Sequence, residues 1–349
     1  VDRPAELRRA AEIRHEEIAM NEMRAIVITR YGEPEVLRER RLPVPAATAG
    51  TAVVRVRAFG VNHAEAYFRK GAWGDVAKVT GIECAGEVHD PGASTLRAGQ
   101  RVFALMGGMG RTIDGSYAEY ARVPVANIVP IDTRADWATL AAIPESYATA
   151  WTVLRHNLEA SAGQVVVVRG GTSALGQATI QLARDLELRV LATTRSRERA
   201  PILERLGAEA LIEAPDLSAE VRRRVPAGVD GVIDIVGTST LLDSLKMVRY
   251  RGRVAMAGFL GGLAPLTFDP LLQMPSGALF SFFASAFVFG GPDLPLSQIP
   301  FADFAARADR VASPCAPAHV FEFEEIVEAH RLMESGAARG KIVVRAPRD

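Results

Sequence analysis

The chain has 349 residues, 48% hydrophobic and 23% charged, and its 41 Lys and Arg balance its 41 Asp and Glu to a formal net charge of zero. This is globular composition at a length that suits two domains of ~150 residues, and it excludes collagen-like, disordered and disulfide-scaffold classes. Zero net charge gives no overall field to gather nucleic acid or an anionic membrane, so neither is expected as a partner. Val1 to Glu22 is rich in Arg, Glu and Ala without an apolar core, and reads as a charged helical extension rather than a secretory leader. From Met23 onward, Ala25 to Ile28, Ala52 to Ala58 and Gly86 to His89 are short strand patterns separated by turn signals such as Gly32-Glu-Pro34. Leu140 to Leu158 follows as a helical pattern.

The character then changes. Gln164-Val-Val-Val-Val168 is a continuous β-branched run, followed by a Gly-rich turn and a helix over Gly176 to Leu186. Strand patterns recur at Arg189 to Ala192, Ala210 to Ile212, Gly231 to Val236, Arg253 to Ala257 and Leu279 to Phe283. Six uninterrupted apolar strands alternating with helices are the pattern of a buried parallel sheet, and six is the number in a dinucleotide-binding domain. Beyond Gly290 come a helix at Phe301 to Val311, a strand at His319 to Phe321, a helix at Phe323 to Glu334 and a strand at Lys341 to Arg345. The most apolar stretch, Ala278 to Phe289, is too short to span a bilayer. Two distant cysteines, Cys84 and Cys315, make no disulfide framework. A soluble protein in the reducing cytoplasm is the expectation.

The turn after the first parallel strand is Gly170-Gly171-Thr172-Ser173-Ala174-Leu175-Gly176. A pyrophosphate site needs a tight reversal, close backbone and free N–H groups at a helix start. Gly171 and Gly176 fill the first and third fingerprint positions. Ser173 replaces the middle Gly, and its hydroxyl is expected to donate to a phosphate. An NAD site places Asp or Glu ~20 residues further on, at the end of the second strand. Here that place holds Thr193-Thr194-Arg195-Ser196-Arg197-Glu198-Arg199, with three guanidiniums suited to a 2′-phosphate and no carboxylate at the strand end to repel it. NADP(H) is therefore favoured, with Thr194, Arg195, Ser196 and Arg199 as its contacts.

Several segments in order carry a family resemblance: Val56-Arg-Ala-Phe-Gly-Val-Asn62, Thr80-Gly-Ile-Glu-Cys-Ala-Gly-Glu-Val88, Ala98-Gly-Gln-Arg-Val102, Gly115-Ser-Tyr-Ala-Glu-Tyr120, Tyr147-Ala-Thr-Ala-Trp151 and Gly340-Lys-Ile-Val-Val344. Together they resemble the medium-chain dehydrogenase/reductase superfamily. The resemblance implies an α/β protein in which a Rossmann dinucleotide-binding domain (146–289) is inserted into a GroES-like β-barrel catalytic domain (23–145 with 290–349), the active site lying in the cleft between them. Zinc-dependent members carry Cys and His ligands, but here Asn62-His-Ala-Glu-Ala66 has no Cys and Ile82 stands in place of the His. No metal is expected.

What remains resembles the zinc-free NADPH:quinone oxidoreductase, or zeta-crystallin-like, branch. That resemblance maps catalytic-cleft roles onto Asn62, Tyr67 and Thr149. It places Gly258, Phe259 and Leu260 against the nicotinamide carboxamide, and Arg199 at a basic phosphate position. Relatives often have a Tyr near Ala214 and an Arg at Gly336, so Arg339 or Lys341 is expected to compensate. The cleft walls are expected from Phe68 to Asp75, Met106 to Asp114 and Pro265 to Met274. The implied partner is a small electrophilic acceptor, a quinone or α,β-unsaturated carbonyl. Enoyl-thioester reduction and non-catalytic NADPH binding are the alternatives. A homodimer through the apolar Leu279–Phe289 stretch is also implied.

Overall fold

The computed structural model describes residues 22–347. The charged extension expected at the start falls outside them apart from Glu22. In chain order the described elements begin with strands β1 (Glu22–Ile28), β2 (Leu37–Pro43) and β3 (Thr51–Val61), helix α1 (His63–Arg69) and strands β4 (Glu83–Asp90), β5 (Arg101–Leu105), β6 (Tyr120–Pro124) and β7 (Ile128–Pro130). Helices α2 (Trp137–Ala141) and α3 (Pro144–Thr152) lead into β8 (Val165–Arg169), α4 (Ala174–Asp185), β9 (Arg189–Thr194), α5 (Ala200–Arg205) and β10 (Glu209–Ile212). Then come α6 (Leu217–Arg224), β11 (Val229–Asp234), α7 (Leu241–Met247), β12 (Val248–Met256), α8 (Pro270–Gln273) and β13 (Leu279–Phe282). The chain closes with α9 (Phe301–Ala308), β14 (His319–Phe321), α10 (Ile326–Glu334) and β15 (Ile342–Arg345).

The six predicted parallel strands form one sheet of order β10-β9-β8-β11-β12-β13, the doubly wound dinucleotide-binding arrangement. Its central strands are largely apolar because helices cover both faces, whereas the edge strand β13 is mostly exposed. In β8, Val166 and Val168 join an apolar cluster with Leu154 and Ile180, while Val167 joins the opposite cluster with Leu217 and Leu245.

The other half is a seven-stranded sheet, β14-β15-β3-β4-β5-β7 with β6 also paired to β3, beside a separate β1–β2 ribbon. The expected barrel is not closed: the sheet runs open from β14 to β7. Its core packs Val54, Phe59 and Ala104 with Phe323 and Ile326, so segments from both ends of the described chain share one cluster.

The single helix expected over Leu140 to Leu158 is broken. Pro144 has no N–H to continue α2, so it opens α3 at its first turn instead. After Thr152 the chain widens into a π-helical turn over Val153–Asn157. The break sets α3 at its own angle, with Glu145 and Thr149 on the wall of the cleft between the two sheets.

Candidate active site

A cavity of about 910 Å³ runs along that cleft. One end is the turn after β8. Gly170 takes a φ of +90°, which a side chain rarely adopts. A Cβ on Gly176 would sit 2.8 Å from the Gly171 backbone, so this glycine lets α4 close on the turn. Ser173 caps α4: its Oγ accepts from Gly176 N at 3.0 Å and donates to the Gly170 carbonyl at 2.8 Å. The hydroxyl expected to meet a phosphate is thus spent on shaping the loop. Thr172, Ala174 and Leu175 line the cavity, whereas Gly171 and Gly176 lie behind it as packing positions. Gln177 adds a brace, its Nε2 donating to Thr172 O at 3.1 Å and to Arg339 O at 2.8 Å.

The ends of β9 and β10 form the next section of wall. Thr194, Arg195 and Arg199 line it, and Arg339 lines the same cavity. A Cβ on Gly336 would overlap Arg195 Nη2, so the glycine that stands where relatives carry Arg leaves room for this guanidinium. Two buried oxygens on this wall, Thr194 Oγ1 and Glu213 Oε2, have no hydrogen-bond partner. The guanidiniums suit an anionic ligand end, and the two orphaned oxygens suit hydroxyl or amino groups beside it. Ser196 stands off the wall, bonded to the Glu198 carboxyl.

Lys341 is also absent from the phosphate end. Its Nζ donates to Asn62 Oδ1 at 2.7 Å and to Glu83 Oε1 at 2.5 Å, with both the Lys and Glu side chains buried. A Cβ on Gly60 would collide with this pair, which explains a glycine inside β3. The physical reason for the correction is that β4 buries the Glu83 carboxyl beside Lys341, and a buried charge must find a partner.

Around this pair lies the other end of the cavity. Asn62 Nδ2 donates to Glu83 Oε1 at 2.9 Å, so both ends of its amide are held within the cluster. Glu65 accepts from Asn62 N and from Ile82 N, and burial pushes its carboxyl up to about 8. Glu83 Oε2 accepts from Glu145 N at 2.7 Å, tying β4 to the start of α3. One turn later Thr149 Oγ1 donates to Glu145 Oε1 at 2.9 Å. Burial, assisted by the Glu83 carboxyl, raises the Glu145 pKa, while Lys341 opposes the rise.

Tyr67, on α1, reaches across the cleft to donate to the Phe259 carbonyl at 2.5 Å. Burial raises its pKa. Gly258, Phe259 and Leu260 line the wall beside it. Trp73 stacks on Tyr67 at 5.0 Å, and Phe259 packs on Phe282 at 5.8 Å, giving an aromatic enclosure. Arg111 lies over the Phe287 ring at 4.5 Å. Of the three loops expected as walls, Phe68 to Asp75 and Met106 to Asp114 contribute residues, and Pro265 to Met274 contributes none.

The structure therefore gathers Asn62, Tyr67 and Thr149 at one end and the β8 turn with Arg195 and Arg199 at the other. Sequence reasoning missed Glu83, Glu145, Gln177 and Glu213. The four-residue spacing of Glu145 and Thr149 on one helical face was the available signal for one of them.

Comparison with known proteins agrees with this layout. Residues 48–133 match the alcohol dehydrogenase GroES-like domain, and residues 174–288 match the family described as zinc-binding dehydrogenase. A quinone oxidoreductase of Rattus norvegicus is 30% identical over 272 residues, covering 75% of this chain and 81% of that protein. The chain belongs to the medium-chain dehydrogenase/reductase superfamily. Within it, the quinone oxidoreductase relatives place it in the zinc-free branch.

A mycobacterial protein solved in complex with NADPH superposes with a TM-score of 0.80 at 25% identity, covering 93% of this chain and 99% of that one. The CurK enoyl reductase, at 19% identity and a TM-score of 0.75 over 93% of this chain and 99% of its own, shares the fold. The residues do not suit the zinc named in the superfamily description. Among the described residues no group of three or more His, Cys, Asp or Glu side chains is arranged to hold a metal. Both cysteines are free and buried, Ile82 offers no ligand atom, and an ammonium closes the Asn62–Glu83 centre.

Proposed function

We infer that the protein is an NADPH-dependent, zinc-independent oxidoreductase that delivers hydride to a quinone or an α,β-unsaturated carbonyl. The observation that carries this reading is one continuous cavity. It joins a phosphate-type turn with free arginines to an aromatic enclosure bearing the Tyr67 and Thr149 hydroxyls. The NADPH-bound relative and the quinone oxidoreductases support it.

When bound, NADPH supplies the hydride. The α4 N-terminus offers backbone N–H groups of Ala174 and Leu175 to a pyrophosphate, and Arg195, Arg199 and Arg339 hold a 2′-phosphate. The orphaned Thr194 hydroxyl and Glu213 carboxyl oxygen take up hydroxyl or amino groups of the adenosine end. Phe259, Phe282 and Trp73 give the opposite end apolar walls, and lower polarity there strengthens each hydrogen bond to an acceptor oxygen. Tyr67 fixes the Gly258–Leu260 segment through the Phe259 carbonyl.

The test is NADPH oxidation against a panel of quinones, enals and a crotonyl thioester. Turnover of quinones or enals is expected. Preference for the thioester, lost in Tyr67→Phe, would instead select enoyl-thioester reduction, whose scaffold is shared. Tight NADPH binding without turnover of any acceptor would select a binding protein.

Assembly as a homodimer belongs to the same proposal. Strand β13 is a sheet edge paired only to β12, and Leu279, Phe280 and Phe282 are exposed on it, with Leu271 and Leu272 nearby in sequence on α8 also exposed. Light scattering giving a monomer mass would refute it. A cytosolic location fits the two free thiols. No helix among the described residues is long and apolar enough to cross a membrane.

A further inference from the structure

Reduction of a quinone or enal consumes a proton as well as a hydride, and the hydroxyl groups facing the acceptor are poorly placed to supply it. Tyr67 already donates to Phe259 O at 2.5 Å, and burial makes its phenol a weaker acid still. Burial depresses the pKa of His63, keeping the ring neutral. Lys341 is held in its ion pair and does not reach the cavity wall.

Glu145 stands apart from these. It lies on the first turn of α3 and its side chain lines the cavity with Thr149, Asn62 and Ser285. Its Oε1 accepts the Thr149 hydroxyl at 2.9 Å, and the Ser285 hydroxyl, from the segment after β13, bonds to the same carboxyl. The backbone N–H of Glu145 is anchored on Glu83 Oε2. The group is therefore fixed in orientation, faces the cavity, and is tethered from two walls.

Resting on the reading above, we propose that Glu145 is the proton donor of the reduction, acting as a carboxylic acid on the oxygen of the acceptor. The hydride brings an electron pair to the conjugated system of the acceptor, and the displaced π pair collects on its oxygen. The Glu145 O–H bond breaks, its proton bonds to that oxygen, and Glu145 is left as a carboxylate. Water entering through the open cleft returns the proton afterwards, so the net reaction takes one hydride from NADPH and one proton from solvent.

The groups facing Glu145 set its acidity in opposing ways. Burial and the Glu83 carboxyl on β4 raise it, whereas Lys341 and the Thr149 and Ser285 hydroxyls lower it. An upward net shift brings a carboxylic acid toward the working pH, where a general acid is most effective.

The test is Glu145→Gln, which keeps an acceptor for Thr149 and removes the acid. Turnover at saturating acceptor is expected to fall on the order of a hundredfold, the usual scale for a general acid. NADPH affinity by fluorescence should stay unchanged. Wild-type activity should fall as pH rises through the Glu145 pKa, and this alkaline limb should vanish in E145Q. An infrared difference between unliganded wild type and E145Q should show loss of a carboxylic-acid C=O band at neutral pH. Glu145→Asp, which keeps the acid but shortens its reach, should retain the alkaline limb at reduced turnover, and serves if E145Q does not fold. E145Q turning over like wild type, an identical alkaline limb, or no lost infrared band overturns the proposal. Those results leave the oxidoreductase reading intact, because that reading fails only if wild type itself reduces no acceptor.

Discussion

Replacing Lys341 by Met keeps the aliphatic stem and deletes the ammonium that lies between Asn62 and Glu83. The wild-type contacts are 2.7 Å and 2.5 Å, and the paired side chains are only 6% and 0% exposed, so solvent and salt screen them little. Breaking a buried pair by removing one partner leaves an uncompensated charge and destabilises by about 3–5 kcal/mol. For a domain of this size that corresponds to a fall in melting temperature of roughly 6–20 °C. The assay is thermal unfolding followed by circular dichroism. The double variant Glu83→Gln with Lys341→Met removes both charges and still offers an oxygen to Glu145 N, so it should regain most of the loss. A K341M melting point within ~2 °C of wild type, or a double variant no better than the single one, would refute the reasoning.

Three further outcomes follow from the same geometry. Arg195→Ala and Arg199→Ala should each weaken NADPH binding about tenfold, or ~1.4 kcal/mol, while NADH binding is unmoved; equal losses for both nucleotides in titration calorimetry would remove the 2′-phosphate assignment. Tyr67→Phe removes one of the two donors to the Phe259 carbonyl, leaving the Gly262 N–H at 3.0 Å, which should cost ~0.5–1.5 kcal/mol of stability and lower turnover, checked by melting and steady-state kinetics. His330 is fully buried against Tyr117, and burial lowers its pKa to about 3. As pH falls below ~6.5 the unfolded chain binds a proton that the folded chain refuses, so stability should decline from there toward pH 3. His330→Gln should flatten that decline in urea titrations across pH, and an unchanged slope would mean that other groups dominate acid unfolding.

What the sequence disclosed depended on the range of the interactions involved. The parallel sheet was readable because β8, most of β11 and the Val254–Met256 end of β12 are buried on both faces and therefore write themselves as apolar runs. Strand β2 was not, since Leu37-Arg-Glu-Arg-Arg-Leu-Pro43 is an exposed ribbon whose pairing with β1 is fixed by backbone rather than by side-chain pattern. The cofactor turn was legible as a motif, but the choice made by Ser173 between a ligand and its own loop was settled by local hydrogen bonds that a motif does not encode. Lys341 illustrates the hardest case. Its partners Asn62 and Glu83 are 279 and 258 residues away, and only the folded chain shows that its charge is already taken.

The last strand carries a consequence for how the molecule comes to exist. Strand β15 pairs with the second half of β3, Ile342 opposite Val61, after the whole parallel sheet has intervened in the sequence. Closing so long a loop is slow relative to local pairing, and during synthesis it must wait until the intervening segment has left the ribosome. Until then β3 keeps an unpaired edge and Glu83 lacks its cation. The parallel sheet, whose strands are closer together in sequence, is free to form earlier. The reactive end of the cleft is thus assembled last, and a chain stalled before Lys341 should lack the Asn62–Glu83–Lys341 centre and be prone to edge-to-edge aggregation.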